Sequence, residues 1–264
     1  MLHVVRSELT RLGQRRTLLI WFGLMALFAV MINTVMASVV SQTSTSDLPS
    51  PGVAFPTRAE LESPAGVTAG LAAASNLFGI VTLSFWAWFT AQDYSSGLIR
   101  LLVAGEPRRW RLLAGKVVAL LLVTALATTA AAVVNVMAAP MVGASGIDTS
   151  AWGTDVASVF VEAWMNLYLS LLVWGVLGLV IAVLSRSAMV AVAIGVGYVL
   201  VVESLITMVG SAPSDWLLGT TLNAIASGGT TAVSFGSALA LGAAYVIVGL
   251  VLAGAVLTRR DVID

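Results

Sequence analysis

The sequence predicts an all-α integral membrane protein with six transmembrane helices. Three observations predict this class: the composition, six long apolar stretches and an uneven distribution of basic residues. Of the 264 residues, 59% are hydrophobic and 10% are charged, whereas about a quarter of the residues of a soluble domain are charged. The composition therefore disfavours a water-soluble globular domain.

Six stretches are long enough to cross a bilayer. A helix rises about 1.5 Å per residue, so about 20 apolar residues cross a hydrocarbon core roughly 30 Å thick. Each stretch is continuously apolar rather than alternating, which favours helices over barrel strands. We predict one transmembrane domain, residues 1–264, with spans near 17–40, 71–91, 117–139, 163–184, 188–209 and 235–258.

The basic residues fall on one side of this arrangement. Of the 13 Lys and Arg residues, all but Arg58 precede span one, follow span six, or lie between spans two and three or spans four and five. Lys and Arg are retained in the cytoplasm during insertion. We therefore expect both termini to be cytoplasmic.

The first 16 residues are predicted to form an amphipathic helix on the inner membrane surface, where its cations would be attracted to anionic lipid. Its apolar residues recur at helical spacing and its basic residues lie elsewhere on the helical wheel. These residues are Leu2, Val5, Leu9 and Leu12, and Arg6, Arg11 and Arg15. A simple topological anchor is the alternative. The apolar stretch that follows exceeds the 7 to 15 residues or so of a cleavable signal peptide, although Arg15-Arg16 superficially resembles a twin-arginine signal.

The two longest outer segments differ in composition. Residues 41–69 are rich in Ser, Thr and Pro, which predicts an irregular connection. Residues 211–234 are more apolar than an ordinary solvated loop. Two interpretations remain open for the second segment: short re-entrant helices, or a surface loop with an aromatic side chain at the interface.

The inventory of reactive side chains excludes several classes of site. The chain has no cysteine and a single histidine, His3, so thiolate zinc sites, histidine pairs for metal or haem, and a Ser-His-Asp triad within the membrane have no residues to form them. We predict no catalytic residue and no metal site. The net charge of zero argues against a uniformly basic nucleic-acid-binding protein.

Polar residues inside the spans are candidates for function. Glu203 is the only acidic residue well inside a predicted span, where a charge at the bilayer centre costs roughly 2.5–3.5 kcal/mol. We consider Glu203, Asn33 and Asn135 candidates for a substrate path or a subunit interface. Asn76 and Asn166 could likewise line a cavity. The alternative is structural: Glu203 and the four asparagines could hydrogen bond to neighbouring helices.

The segment between spans two and three makes the most specific prediction. Leu98, Leu101 and Leu102 can share one helical face, Gly105-Glu106-Pro107 is a turn signal, and Arg108 to Arg111 restart a basic helix. A helix, turn and helix at the cytoplasmic surface favours docking by another protein. The alternative is a basic loop that faces lipid.

The run from Gly97 to Lys116 resembles the signature of ABC-2-type permeases. In that signature an acidic residue and a Gly-Thr precede a basic residue, a Leu pair, a Pro-containing turn, an Arg and a closing Lys. The matching residues are Gly97, Arg100, Leu101, Leu102, Arg109 and Lys116. The sequence departs from the pattern at Leu98, where Thr is usual, and at Pro107, which is one place late.

The resemblance implies a permease subunit of an ATP-driven exporter in the cell (inner) membrane. The residues implied to form a coupling helix that docks onto a separate ATP-binding subunit are Gly97, Arg100, Leu101, Leu102, Pro107 and Arg109. ATP and Mg would be bound by that subunit, because the only Gly-Lys pair of this chain, Gly115-Lys116, lacks P-loop spacing. The implied partners are the ATP-binding subunit, a second copy or a similar permease, and membrane lipid, with no nucleic acid. The implied cargo is an amphipathic or hydrophobic molecule.

Two other functions remain as alternatives. A secondary transporter is expected to show paired inverted repeats and several ionisable groups in the membrane, and neither is evident. A noncatalytic membrane partner, such as a sensor or assembly subunit, is opposed only by the resemblance of the coupling-like segment.

Overall fold

The computed structural model describes residues 2–13, 15–42, 55–97, 109–209 and 217–259, and within these ranges the regular structure is helical throughout. The α-helices are α1 (Leu2–Leu12), α2 (Arg15–Gln42), α3 (Arg58–Leu61), α4 (Ala69–Ala73), α5 (Ser75–Ser95), α6 (Arg109–Ala138), α7 (Pro140–Gly143), α8 (Val156–Ser185), α9 (Ala188–Gly197), α10 (Ser204–Val209), α11 (Leu218–Ala226) and α12 (Phe235–Arg259). Two 3₁₀-helices, Pro64–Thr68 and Ser150–Gly153, and one π-helix, Tyr198–Glu203, join them.

Five helices of the described chain are long and apolar enough to cross a membrane. They cover Arg16–Ser41, Trp110–Gly143, Val156–Ser185, Ala188–Ile206 and Phe235–Leu257. Their outward faces carry large apolar side chains such as Leu19, Met137 and Met189. Apolar surface on this scale suits lipid rather than water, and the chain is a multi-pass membrane protein.

The second predicted span is not one straight helix. Pro64–Ala73 and Ser75–Ser95 meet at an angle of 46° and make a sixth span only if the bent pair crosses as one unit. The prediction of an unbroken helix over 71–91 is therefore wrong at Ala74. Contacts with α6 hold the preceding turn in place, because Asn135 Nδ2 donates to the carbonyl oxygen of Val67 at 3.2 Å.

Helices α5 and α8 pack closely at the centre of the bundle through reciprocal tryptophan and glycine contacts. A Cβ atom on Gly79 would lie 2.2 Å from Trp174 Nε1, and one on Gly175 would lie 2.5 Å from Trp86 Cε2. Both tryptophans are fully buried. Small residues that let two helices approach closely are typical of membrane helix packing.

The described part of residues 41–69 is more regular than predicted. Residues 43–54 lie outside the described residues, but α3 follows them with a capping box in which Thr57 Oγ1 accepts from Glu60 N and Glu60 Oε2 accepts from Thr57 N. The indole of Trp152 donates to the carbonyl oxygen of Leu61 at 2.8 Å. The interpretation of 41–69 as an irregular connection is therefore wrong for this part, because local caps and a distant indole satisfy its backbone groups.

The apolar character of residues 217–234, the described part of the second outer segment, is explained by burial. Helix α11 contacts α5, α8 and α12 and buries Thr221, Leu222, Ala224 and Ile225. This packing favours the interpretation as a helix inserted into the bundle over a solvated surface loop.

One end of the bundle gathers elements that are far apart in the sequence. Glu8 of α1, Asp93 of α5, Lys116 of α6, Val183 of α8 and Leu257 of α12 line one small pocket. We call this the basic end, because the predicted basic segments lie here, and the other the opposite end.

Candidate functional site at the basic end

Four charged side chains form a closed cluster at the basic end, which we call the charge ring. The ring consists of Glu8, Arg11, Asp93 and Lys116, and each cation contacts both carboxylates. Arg11 Nη1 lies 3.0 Å from Glu8 Oε1, and Lys116 Nζ lies 3.1 Å from Glu8 Oε2 and 2.8 Å from Asp93 Oδ2. Arg11 Nη2 closes the ring on Asp93 Oδ1.

The charge ring is buried and electrically balanced. The side chains of Glu8, Asp93 and Lys116 are each less than a tenth exposed, and Arg11 is about a quarter exposed. Phe89 lies beneath both cations, with its ring centroid 4.1 Å from Lys116 Nζ and 5.3 Å from Arg11 Cζ. Buried charges need compensating partners, and here every carboxylate meets two cations.

Local helical geometry places each member of the ring. Glu8 and Arg11 are three residues apart on α1 and so share one face. Phe89 and Asp93 are four residues apart near the C-terminal end of α5, and Lys116 lies about two turns into α6. Helix α1 rests against α6 where a Cβ atom on Gly115 would come within 2.5 Å of Val4 Cγ1.

The ring brackets the predicted coupling segment, which runs from Gly97 to Arg111. Gly97 follows α5 with a left-handed φ of +69°, a conformation that glycine adopts without steric cost. Arg109 is the first residue of α6. The other predicted coupling residues, Arg100, Leu101, Leu102 and Pro107, lie outside the described residues, so their predicted roles stay predictions.

The structure brings together the two candidate asparagines. Asn33 Nδ2 donates to Asn135 Oδ1 at 2.8 Å and to the carbonyl oxygen of Ala29 at 2.8 Å. Gly70 approaches this pair so closely that a Cβ atom there would lie 2.3 Å from Asn135 Oδ1. These contacts form a buried link between α2, α6 and the bent pair. A role of the two asparagines in a substrate path stays a prediction.

Glu203 lies apart from both the asparagine pair and the charge ring. It ends the π-helix between α9 and α10, and its Oε1 accepts from Gly219 N at 2.7 Å. A carboxylate at a helix N-terminus satisfies backbone N–H groups that have no partner within the helix. Glu203 thus fastens α11 to the π-helix, and its predicted role in a substrate path or interface is not established by this contact.

Sequence reasoning missed Glu8 as a site residue. Glu8 is 2% exposed, because its charge is compensated by Arg11 and Lys116. Whether the leucine face of α1 lies on the membrane surface stays a prediction. The sequence signal for Glu8 was that it is the only acidic residue before the first span.

A comparison with curated proteins gives no match. The sequence profile of a family described as "Protein of unknown function (DUF2705)" matches residues 26–263. That range contains Asp93 and Lys116 of the charge ring but begins after Glu8 and Arg11. Since the match covers most of the sequence, the chain belongs to the DUF2705 family.

Proposed function

We propose that this chain is the membrane-spanning permease subunit of an ATP-binding cassette exporter, moving an amphipathic or hydrophobic molecule out of the cytoplasm. A separate subunit binds and hydrolyses ATP with Mg, and a second permease completes the translocation path. The chain lies in the cell membrane with six spans and both termini in the cytoplasm.

The charge ring is the observation that carries the proposal. Lys116 closes the run that resembles the permease signature, and Asp93 lies four residues before that run. The two side chains contact each other across the coupling segment at 2.8 Å. Glu8 and Arg11 add the N-terminal helix to the same cluster. A force applied to the coupling segment would therefore reach α1, α5 and α6 together, since rigid elements joined by ion pairs transmit displacement.

The placement of the chain ends supports the span count. Elements near both ends of the chain, α1 and the last turns of α12, lie at the basic end, which requires an even number of crossings. Five long helices and the bent pair taken as one span give six. The Lys and Arg distribution then puts the charge ring on the cytoplasmic side.

Co-purification tests the proposal. The tagged chain is isolated from its native membranes in mild detergent, and co-purifying proteins are identified by mass spectrometry. The test variants are Leu101→Asp and Arg109→Asp, in the coupling segment. The matched control is Arg186→Asp, which makes the same charge change in the exposed connection between α8 and α9.

We expect a soluble protein with a P-loop to accompany the unaltered chain and the Arg186→Asp variant, and to be lost from both coupling-segment variants. If no ATP-binding protein accompanies the unaltered chain while other membrane complexes survive extraction, the exporter function is wrong. A gradient-driven transporter or a noncatalytic partner would then replace it.

A further inference from the structure

A cavity of about 410 Å³ lies at the opposite end of the bundle, far from the charge ring. Its walls come from the segment around α3, from α4, from the N-terminal half of α8 and from the region of α11 and the turn that follows it. Sites for small organic ligands in proteins are commonly about 300–1,000 Å³. The cavity is therefore large enough for an organic molecule and not only for an ion.

The cavity has a polar mouth and a mixed floor. Glu60, Glu162, Ser227 and Thr230 line the mouth and are exposed, whereas the floor is formed by buried residues. The floor residues include Asn166, Thr68, Ala73 and Ala226. A ligand could thus enter from the surface and place an apolar portion against the alanines.

Asn166 points to a ligand because its amide makes no hydrogen bond within the described residues and lines the cavity, although the residue is only 9% exposed. Asn33 and Asn135, which are also buried, make three interhelical and backbone hydrogen bonds between them. Buried polar groups normally bond to protein, water or ligand, so the Asn166 amide is available to a molecule that enters the cavity.

Glu162 lies one helical turn before Asn166 on α8, so both side chains reach the cavity from one face. Within the described residues its carboxylate makes no hydrogen bond or ion pair. The second carboxylate, Glu60, uses one oxygen to accept from Thr57 N at 2.6 Å. Among the described residues, the lining of the cavity includes these two acids and no Lys, Arg or His.

We propose that this cavity binds an organic molecule that carries an ammonium group. The ammonium ion-pairs with Glu162, the amide oxygen of Asn166 accepts a hydrogen bond deeper in the cavity, and the hydrocarbon portion packs against the alanines. A bare metal ion fits less well, because the described residues contain no group of three Asp, Glu, His or Cys side chains able to hold one. The inference does not rest on the proposed function, because ligand binding needs neither nucleotide nor a partner subunit.

A pair of probes that differ only in charge tests the proposal. Dansylcadaverine carries a primary ammonium, and N-acetyl-dansylcadaverine replaces it with a neutral amide. Binding of each is measured by equilibrium dialysis against the chain in phosphatidylglycerol nanodiscs, with empty nanodiscs subtracted. We expect the charged probe to bind at least about tenfold more tightly than the neutral one, because the neutral probe cannot make a charge-assisted hydrogen bond to the carboxylate.

Three variants assign the site. Glu162→Gln removes the proposed ion pair and should weaken the charged probe about tenfold, whereas Asn166→Asp adds a carboxylate of the same shape and should tighten it. Glu62→Gln is the matched control, since Glu62 lies at the same end, pairs with Arg58 and does not line the cavity. The control should bind as the unaltered chain does.

Equal binding of the two probes would overturn the proposal, and so would equal effects of Glu162→Gln and Glu62→Gln. The source of the ammonium is distinguished by repeating the dialysis in phosphatidylethanolamine nanodiscs. Loss of probe binding there would assign a lipid headgroup as the occupant, and unchanged binding would assign a soluble amine.

Discussion

The charge ring and the cavity both contain carboxylates, at the two ends of one bundle, but the two sites differ in burial and in ion pairing. At the basic end, Glu8 and Asp93 are buried and each contacts two cations. At the opposite end, Glu162 is exposed and the nearby amide of Asn166 is buried without a partner among the described residues.

The difference separates polar groups that hold the fold from polar groups that remain free to bind. Partners within the chain already satisfy the ring, so its removal should cost stability. The cavity groups lack such partners, so their removal should cost ligand affinity and leave stability unchanged. Four substitutions test this division, beginning with the one that should destabilise the protein most.

Lys116→Met should have the largest effect on stability. It leaves two buried carboxylates facing only Arg11, and breaking a buried pair in this way costs about 3–5 kcal/mol. The free energy of unfolding in detergent, from chemical denaturation, measures the loss. Adding Asp93→Asn restores the charge balance and should recover part of it, whereas Glu62→Gln, which removes an exposed pair, should cost less than about 1 kcal/mol. Equal losses for Lys116→Met and Glu62→Gln would refute the importance of the ring.

Gly219→Ala should disturb the cavity through its wall. A Cβ atom here would lie 2.4 Å from Glu203 Oε2, so the Glu203 carboxylate must move away and its hydrogen bond from Gly219 N is lost, at a cost of about 1.5–3 kcal/mol for a hydrogen bond to a charged group. Because this bond holds the start of α11, which carries Asn223 and Ala226 of the cavity, the ammonium probe should also bind more weakly. Gly236→Ala is the matched control, since no atom lies within 4 Å of its added carbon.

Asn135→Leu should cost about 0.6–1.7 kcal/mol, the range of interhelical hydrogen bonds in membrane proteins. The variant removes the bonds to Asn33 and to the carbonyl oxygen of Val67. Asn76→Leu is the control, because the Asn76 amide oxygen is buried without a partner in the described residues. If Asn135→Leu weakened ligand binding at unchanged stability, this asparagine would belong to a binding path rather than to the helix contact.

Glu162→Gln should have the smallest effect on the fold. Surface substitutions away from packed or paired groups usually change stability by less than about 0.5 kcal/mol. Its unfolding free energy should equal that of the unaltered chain while its affinity for the ammonium probe falls. If Glu162→Gln lowered the unfolding free energy about as much as Lys116→Met, Glu162 would belong to a structural network. The proposed difference between the two ends would then be wrong.

The long helices were predictable because apolar length is a local signal. The predicted starts at Ala188 and Phe235 coincide with the first residues of α9 and α12. Helix α6 begins at Arg109, within the run Arg108 to Arg111 that the sequence predicts to restart a basic helix ahead of the apolar span near 117. Its first two turns contain charged residues, so a search for continuously apolar stretches places the start of the span after them. One of these residues, Lys116, is buried only because two carboxylates compensate its charge.

The sites were less predictable because their partners are distant in the sequence. Arg11 pairs with Asp93 82 residues away, and Glu8 pairs with Lys116 108 residues away, so no local pattern marks the ring. The asparagines show the same limit. From the sequence, Asn135 and Asn166 could each either link two helices or line a cavity. Only their neighbours in three dimensions show that Asn135 links helices and that Asn166 lines a cavity.

Site-specific crosslinking in native membranes tests the proposed coupling to an ATPase most directly. The chain has no natural cysteine, so Leu101→Cys can be labelled alone with a benzophenone maleimide and irradiated. Ser158→Cys, at the opposite end near the start of α8, is the control. We expect a P-loop ATPase to be crosslinked to the chain carrying Leu101→Cys and not to the one carrying Ser158→Cys. Crosslinking of no such protein at residue 101, or of the same protein from both positions, would contradict it.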